Sequence, residues 1–234
     1  MWKNHRGTGR HRYWRYLLTA LVILLLASVA LTLPWRWLPP PTTAFILQNR
    51  QQQEAPTHRQ WVPLREISPA LAIAVVAAED QKFPDHHGFD FESIAEALQE
   101  DRRRPRGAST ISQQLVKNLY LWPGRSLFRK GLEAWFTVLI EFTWSKRRIL
   151  EVYLNVVEFG PNVYGAEAAG RLFFAKPASR ISLYEAALLA AVLPNPKRMS
   201  AGRPSLYVQQ RAAEIIDEVR NLGGPGYLSA VLKN

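Results

Sequence analysis

Twenty consecutive residues, Tyr16 to Trp35 (YLLTALVILLLASVALTLPW), carry no charge, and this run constrains the chain more than any other feature. Folded as a helix at about 1.5 Å per residue, it reaches roughly 30 Å, the thickness of a bilayer's hydrocarbon core. Lys3, Arg6, Arg10, Arg12 and Arg15 precede it, and no acidic residue occurs in the first 36 positions. Such a basic flank keeps an N-terminus on the cytoplasmic side. Tyr13, Trp14, Tyr16, Trp35 and Trp37 mark the two ends, where amphipathic rings favour the membrane interface. The rival reading is a cleaved signal peptide, since Ser28-Val29-Ala30 satisfies the small-residue rule. The apolar run continues past Ala30 and closes on aromatics, which favours an uncleaved anchor. On either reading the rest of the chain is exported.

The net charge is +11. Beyond position 36 there remain 24 basic and 19 acidic residues, a net +5, so much of the excess is local to the N-terminus. A basic chain favours an anionic partner: nucleic acid, a membrane surface or a phosphorylated substrate. Export counts against nucleic acid. The 234 residues include no cysteine, which excludes disulfides, thiol nucleophiles and thiolate metal sites.

Four segments follow from this: a basic cytoplasmic tail (1–15), a transmembrane anchor (16–36), a linker (37–60) and one exported domain (61–234). The linker contains LPPPTTAFILQNRQQQEAPTHRQ, whose prolines and polar residues read as a spacer. After Trp61 the apolar periodicity is helical. It predicts helices over Ile67–Glu79, Phe91–Glu100, Thr110–Leu121, Leu127–Trp144, Lys146–Val157, Gly165–Phe174, Leu183–Leu193 and Leu206–Asn221. Strand alternation is nearly absent, so the fold class is mostly α.

Three stretches carry candidate chemistry. In AAEDQKFPDHHGFD an apolar helix ends on Glu79 and Asp80, followed by Phe83 and His86. A solvated helix end and a carboxylate at a pocket mouth both fit that pattern. In RGASTISQQLVKNLYLW, Ser109 or Thr110 can cap a helix, and Thr110 with Gln113 fits a capping box. Thr110, Gln114 and Asn118 then repeat at i, i+4 and i+8, with Lys117 on the same side as Gln114. An ordinary amphipathic helix accounts for this stretch when it is taken alone. In SLFRKGLEAWFTVLIEFTW, Arg129 and Lys130 stand four and three residues before Glu133 on a mostly apolar helix, with Arg125 just upstream. Intrahelical ion pairs explain that spacing, but charges on an apolar helix also line cavities, because burying them unpaired is costly. Two carboxylates on separate helices suggest chemistry at a glycosidic centre. The cations refine this: a glycosyl phosphate departs as a good anion and needs charge stabilisation rather than a proton. One base beside Lys and Arg therefore favours transfer from a phosphate-linked sugar, and the anchor places that phosphate on a lipid.

These stretches, with KRRILEVYLNVVEFGPNVYGAEAAGRLFF and LYEAALLAAVLPNPKRMSAGRPS, resemble the motifs of the peptidoglycan glycosyltransferases, glycosyltransferase family 51. The likeness runs from about Val62 to Arg211. Five blocks in order are specific, where any one would be weak. The resemblance implies a lysozyme-like α fold with a small membrane-facing lobe. It also implies polymerisation of lipid II into β-1,4-linked glycan strands with release of undecaprenyl diphosphate. Bifunctional relatives, the class A penicillin-binding proteins, add a transpeptidase domain. This sequence contains no Ser-x-x-Lys, so a monofunctional member without transpeptidase activity is expected.

By the same resemblance Glu79 is the catalytic base and Glu133 the second carboxylate, acting on the diphosphate side. Lys117, Arg125, Arg129 and Lys130 surround the donor diphosphate. Ser109, Thr110, Gln114 and Asn118 form the polar face of the second block. Phe83 and His86 shape the pocket, Asp80 helps set the pKa of Glu79 or anchors the turn, and all three count with the substrate-binding set; Glu151 and Asn155 either pin helices around the cleft or contact substrate. Ser112 stands where threonine is commoner, and Ala108 where a second glycine is common. No dedicated metal-ligand set is visible and no cofactor is obligate, although Mg²⁺ or Mn²⁺ can bridge the diphosphate. Expected partners are lipid II, the growing lipid-linked strand, the membrane and other cell-wall synthesis or division proteins. The expected location is the bacterial inner membrane, single-pass, with the catalytic domain periplasmic. Alternatives are a lytic transglycosylase or lysozyme-like hydrolase, and a non-catalytic membrane-anchored scaffold.

Overall fold

In a computed structural model that describes residues 8–52, 56–99, 109–124 and 126–233, the uncharged run lies in helix α1 (Thr8–Thr32) as far as Thr32 and ends in a 3-10 turn (Leu33–Arg36). An 18-residue window within Arg12–Arg36 has a mean hydropathy of 2.5, and it is the one span among the described residues long and apolar enough to cross a membrane. Leu18, Leu24 and Leu26 are each more than 60% exposed, as a lipid-facing surface requires. The chain divides between Leu38 and Pro39 into two compact units, Met1–Leu38 and Pro39–Asn234.

The second unit contains α2 (Ala44–Gln52), α3 (Pro69–Glu79), α4 (Phe91–Gln99), α5 (Ile111–Tyr120), α6 (Leu127–Thr143), α7 (Lys146–Val156), α8 (Ala166–Phe174), α9 (Leu183–Val192), α10 (Leu206–Asn221) and α11 (Ser229–Lys233). Ser or Thr caps α3, α5, α6, α7, α9 and α10, each side chain accepting from a backbone N–H of the first turn. The box between Thr110 and Gln113 is formed in both directions. Two helices have no polar stripe: Leu71–Ala77 of α3 and Ala186–Val192 of α9 are buried all round. Helices of that kind belong at the centre of a domain, and α3 packs against both α9 and α10. By contrast, α10 buries only Val208, Ala212, Ile215 and Val219, a single stripe at helical spacing.

The fold is mostly helical, and every helix predicted after Trp61 is present with ends within two residues. Two features differ from the sequence reading. The 37–60 segment, read as linker, contains α2 and a strand, β1 (His58–Arg59). Ile46 of α2 is buried and Gln48 Nε2 donates to the Leu121 carbonyl at 3.3 Å, so this stretch belongs to the domain. There is also a small sheet. β1 runs parallel to β3 (Val163–Tyr164), which pairs antiparallel with β2 (Glu158–Gly160). Strands of two or three residues are too short for alternation to reveal them.

Candidate active site

Glu79 is the last residue of α3. It is only half-buried, so a ligand can reach it, yet protein crowds its carboxyl. Gln114 Nε2 donates to Glu79 Oε2 at 2.6 Å, and Tyr153 donates its hydroxyl to Gln114 Oε1 at 2.8 Å. Burial pushes the Glu79 carboxyl above its ordinary range. The Gln114 hydrogen bond and the charges of Lys117 and Arg211 pull against that shift, and the charge of Asp80 adds to it.

Asp80 has a different task. It is buried, it accepts from the Ile111 backbone N–H at 2.9 Å, and His86 Nε2 lies 2.9 and 3.0 Å from its two oxygens. His86 Nδ1 accepts from the Gly88 N–H at 3.0 Å, so the ring's proton sits on Nε2 and is donated to Asp80. Asp80 thus joins the end of α3 to the start of α5, where a negative charge also suits the helix dipole. Gly88 holds the corner between them. Its φ is +89°, and a Cβ there would lie 2.7 Å from Thr137 Cγ2. Thr110 Oγ1 donates to the Gly88 carbonyl at 2.7 Å.

Phe83 has no exposed surface and lies beneath Lys146, whose ammonium is 4.6 Å from the ring centroid. Thr110 is equally buried, as the N-cap of α5. Both were counted with the substrate-binding set; in the structure both are buried, and packing and capping account for their positions. Ser112 donates to Glu141, which also accepts from Lys146 at 2.9 Å. Asn155 is fully buried and exchanges hydrogen bonds with the backbone of Val62, while Glu151 accepts from the Leu64 N–H. These two residues pin the 62–64 segment to α7.

Glu133 is buried in the middle of α6. Arg129 Nη1 donates to its Oε2 at 3.0 Å and Lys130 to its Oε1. The Arg129 Nε is buried and has no hydrogen-bond partner among the described residues. Lys117, on α5, is half-buried, and among the described residues its ammonium makes no hydrogen bond. Burial lowers its pKa; the charges of Glu133 and Glu79 oppose that, and those of Arg129 and Lys130 reinforce it. Lys117 therefore feels both carboxylates and links the two halves of the site. Asn118 is buried on α5, and Ser109 accepts weakly from Gln114 Nε2 at 3.4 Å through its carbonyl. Arg125, Arg102, Arg103, Arg104, Arg106 and Ala108 lie outside the described residues. No three His, Cys, Asp or Glu side chains cluster as metal ligands among the described residues.

Two residues of the site were missed by sequence reasoning. Tyr153 stands in a run buried on every side, where a hydroxyl among Leu150, Val152 and Leu154 was the available signal. Arg211 comes from α10, and no spacing links it to Glu79. A separate hollow of about 380 Å³ beside β1 and α8 is lined by Thr57, His58, Arg59, Gln60, Ala168, Arg171 and Leu172. Among the described residues that line it there is no carboxylate.

The Transglycosylase family profile matches residues 47–220. The chain is 52% identical over 227 residues to a biosynthetic peptidoglycan transglycosylase of Xanthomonas campestris pv. campestris, covering 94% of this chain and 92% of that one. It is 49% identical over 237 residues to the protein of that name from Pectobacterium carotovorum, covering 96% and 97%. With the Pseudomonas putida protein of the same name it shares 52% over 221 residues, covering 92% and 94%. A match that spans both the helical domain and the segment before it shows that the chain belongs to the transglycosylase family.

Proposed function

We infer that this protein is a peptidoglycan glycosyltransferase that polymerises lipid II. The observation that carries the mechanism is Lys117. It is a half-buried cation whose ammonium makes no hydrogen bond among the described residues, set electrostatically between one carboxylate poised to take a proton and a second already clamped by cations. Glu79 removes the proton from the 4-hydroxyl of the lipid II N-acetylglucosamine. The freed oxygen attacks C1 of the N-acetylmuramic acid at the lipid-linked end of the growing strand. The C1–O bond to phosphate breaks, the β-1,4 bond forms with inversion, and undecaprenyl diphosphate leaves with both electrons. Glu79 then returns its proton to solvent. A raised carboxyl pKa suits a base working near neutral pH.

On the diphosphate side, Lys117 and the Arg129 Nε, which has no partner among the described residues, are donors for developing charge, which is where electrostatic catalysis acts most strongly. Glu133 holds Arg129 and Lys130 in place rather than transferring a proton. Because those cations take up its oxygens, a Mg²⁺ or Mn²⁺ ion at the diphosphate would draw its ligands from substrate and water. The basic tail and α1 anchor the chain in the inner membrane with the domain periplasmic. Leu127, Phe128 and Phe142 of α6, at 93%, 71% and 88% exposed, supply an apolar surface for the interface near the lipid.

Incubating the purified chain with lipid II and following glycan length tests this reading. Polymer that disappears in Glu79→Gln supports it. Release of anhydro-sugars from finished peptidoglycan would favour the lytic alternative, and neither activity would leave a scaffold.

A further inference from the structure

We propose that Tyr153 is a positioning residue for the reaction: by donating to Gln114 Oε1 it fixes the side-chain amide so that a donor, and never an acceptor, faces Glu79. This rests on Glu79 as the base.

The case is one of hydrogen-bond satisfaction. A glutamine amide presents two donors at one end and an acceptor at the other, and rotation by half a turn exchanges them. In the orientation seen, every group has a partner. Tyr153 donates at 2.8 Å to Oε1, and Nε2 donates at 2.6 Å to Glu79 and at 3.4 Å to the Ser109 carbonyl. Turned over, the amide would set its carbonyl against the Glu79 carboxylate and the Ser109 carbonyl. The Tyr153 hydroxyl proton would then have no acceptor in a fully buried position, which is costly. Tyr153 is also a reliable donor: burial, with the charges of Glu79 and Asp80, holds its hydroxyl well above the usual phenol range.

The groups facing Glu79 show why the amide's direction matters. Lys117 of α5 and Arg211 of α10 favour the carboxylate, Asp80 opposes it, and Gln114 is the one neutral group among them. An amide free to turn could present its carbonyl to a protonated Glu79 and hold the proton there, disabling the base. Tyr153 closes off that state. Its hydroxyl also polarises the amide, which strengthens the N–H donated to Glu79.

The test is a direct titration of Glu79 in the full chain in detergent. It uses side-chain ¹³C-labelled glutamate, with Glu79→Gln to assign the resonance. In Tyr153→Phe the midpoint is expected to rise by about half to one pH unit, and the acid limb of kcat/KM to move with it while KM for lipid II stays unchanged. In Gln114→Leu, adding Tyr153→Phe should produce no further rise. An unmoved Glu79 midpoint in Tyr153→Phe overturns the proposal. So does a rise that adds in full to that of Gln114→Leu, since Tyr153 would then act by another route. The side-chain NH₂ signals of Gln114 give a second readout independent of activity: slow exchange in the parent chain and fast exchange in Tyr153→Phe, with thermal unfolding confirming the fold. Failure of Glu79 as base shows separately, as a pH–rate profile that ignores the Glu79 midpoint.

Discussion

Glu79 closes α3 with one neutral donor, Gln114, on its carboxylate, whereas Glu133 sits mid-helix on α6 between Arg129 and Lys130. Both are withdrawn from water. Burial raises the pKa of the first, and two hydrogen-bonded cations answer the charge of the second. A carboxylate that is to accept a proton must be left partly unsatisfied. A carboxylate that is to hold cations in place must be neutralised. Similar residues on similar helices thus diverge through what the neighbouring helices bring to them.

The sharpest way to break this comparison is activity. Glu79→Gln keeps the shape and removes the base, so kcat should fall about 10³-fold. Glu133→Gln should spare the proton transfer and lower kcat less. Equal losses in lipid II polymerisation would show that the two acids share one role.

Lys117→Met comes next. Removing the cation that both acids feel should cost about 10²-fold in kcat. It should also move the acid limb of the pH profile upward, because a charge that favours ionised Glu79 is gone. Lys117→Arg should restore the limb more fully than the rate, since a guanidinium supplies charge with different reach. An unmoved limb in Lys117→Met would separate the lysine from the base.

Stability should rank the acids the other way. Glu133→Gln leaves Arg129 and Lys130 without their anion. Arg129 is nearly buried, with 12% of its side chain exposed, so its loss dominates; Lys130 is about half exposed and its pair is discounted accordingly. A destabilisation of about 2 kcal/mol is expected, read as a fall of about 4–8 °C in Tm. An unchanged Tm would mean that solvent replaces both pairs.

How much of this was legible beforehand depends on the range of each signal. The helices were readable because period and caps are local: Thr110 and Gln113 announce α5 within four residues. Glu79 and Glu133 were readable as candidates because each lies in a stretch whose composition is odd, acids after an apolar run or cations inside one, whereas Lys117 stands on an ordinary amphipathic helix and was singled out by the family resemblance. Their division of labour came from the family resemblance and not from composition, because the interactions that set the two acids apart are long-range: Gln114 reaches α3, and the charge of Arg211 arrives from α10. Phe83 and Thr110 were counted with the substrate-binding set because sequence shows which residues share a block and not which of them are buried. The α2 segment was hidden by the prolines on either side of it and by its own glutamines, and Ile46, Gln48 and Asn49, tied to distant parts of the domain, reveal it as part of that domain.

The smallest expected effect is the most discriminating. The ordinary carboxyl value for Glu79 is 4.5, and the folded state raises it. Below about pH 4.5 Glu79 is protonated whether the chain is folded or not, so it has no influence on stability. As pH rises through the window up to the raised folded value, the folded state binds the proton more tightly than the unfolded state, and stability falls. Above that window the cost is complete. Glu79→Gln removes it, so the variant should be more stable than its parent at pH 7–8, by a small margin because the half-open position of Glu79 screens the cost. The gain should vanish at pH 4. Denaturant unfolding at the two pH values measures this directly. A variant less stable than the parent at pH 7–8 would mean that the ionised Glu79, through Gln114, Lys117 and Arg211, holds the fold together. Glu79 would then belong in the same class as Glu133.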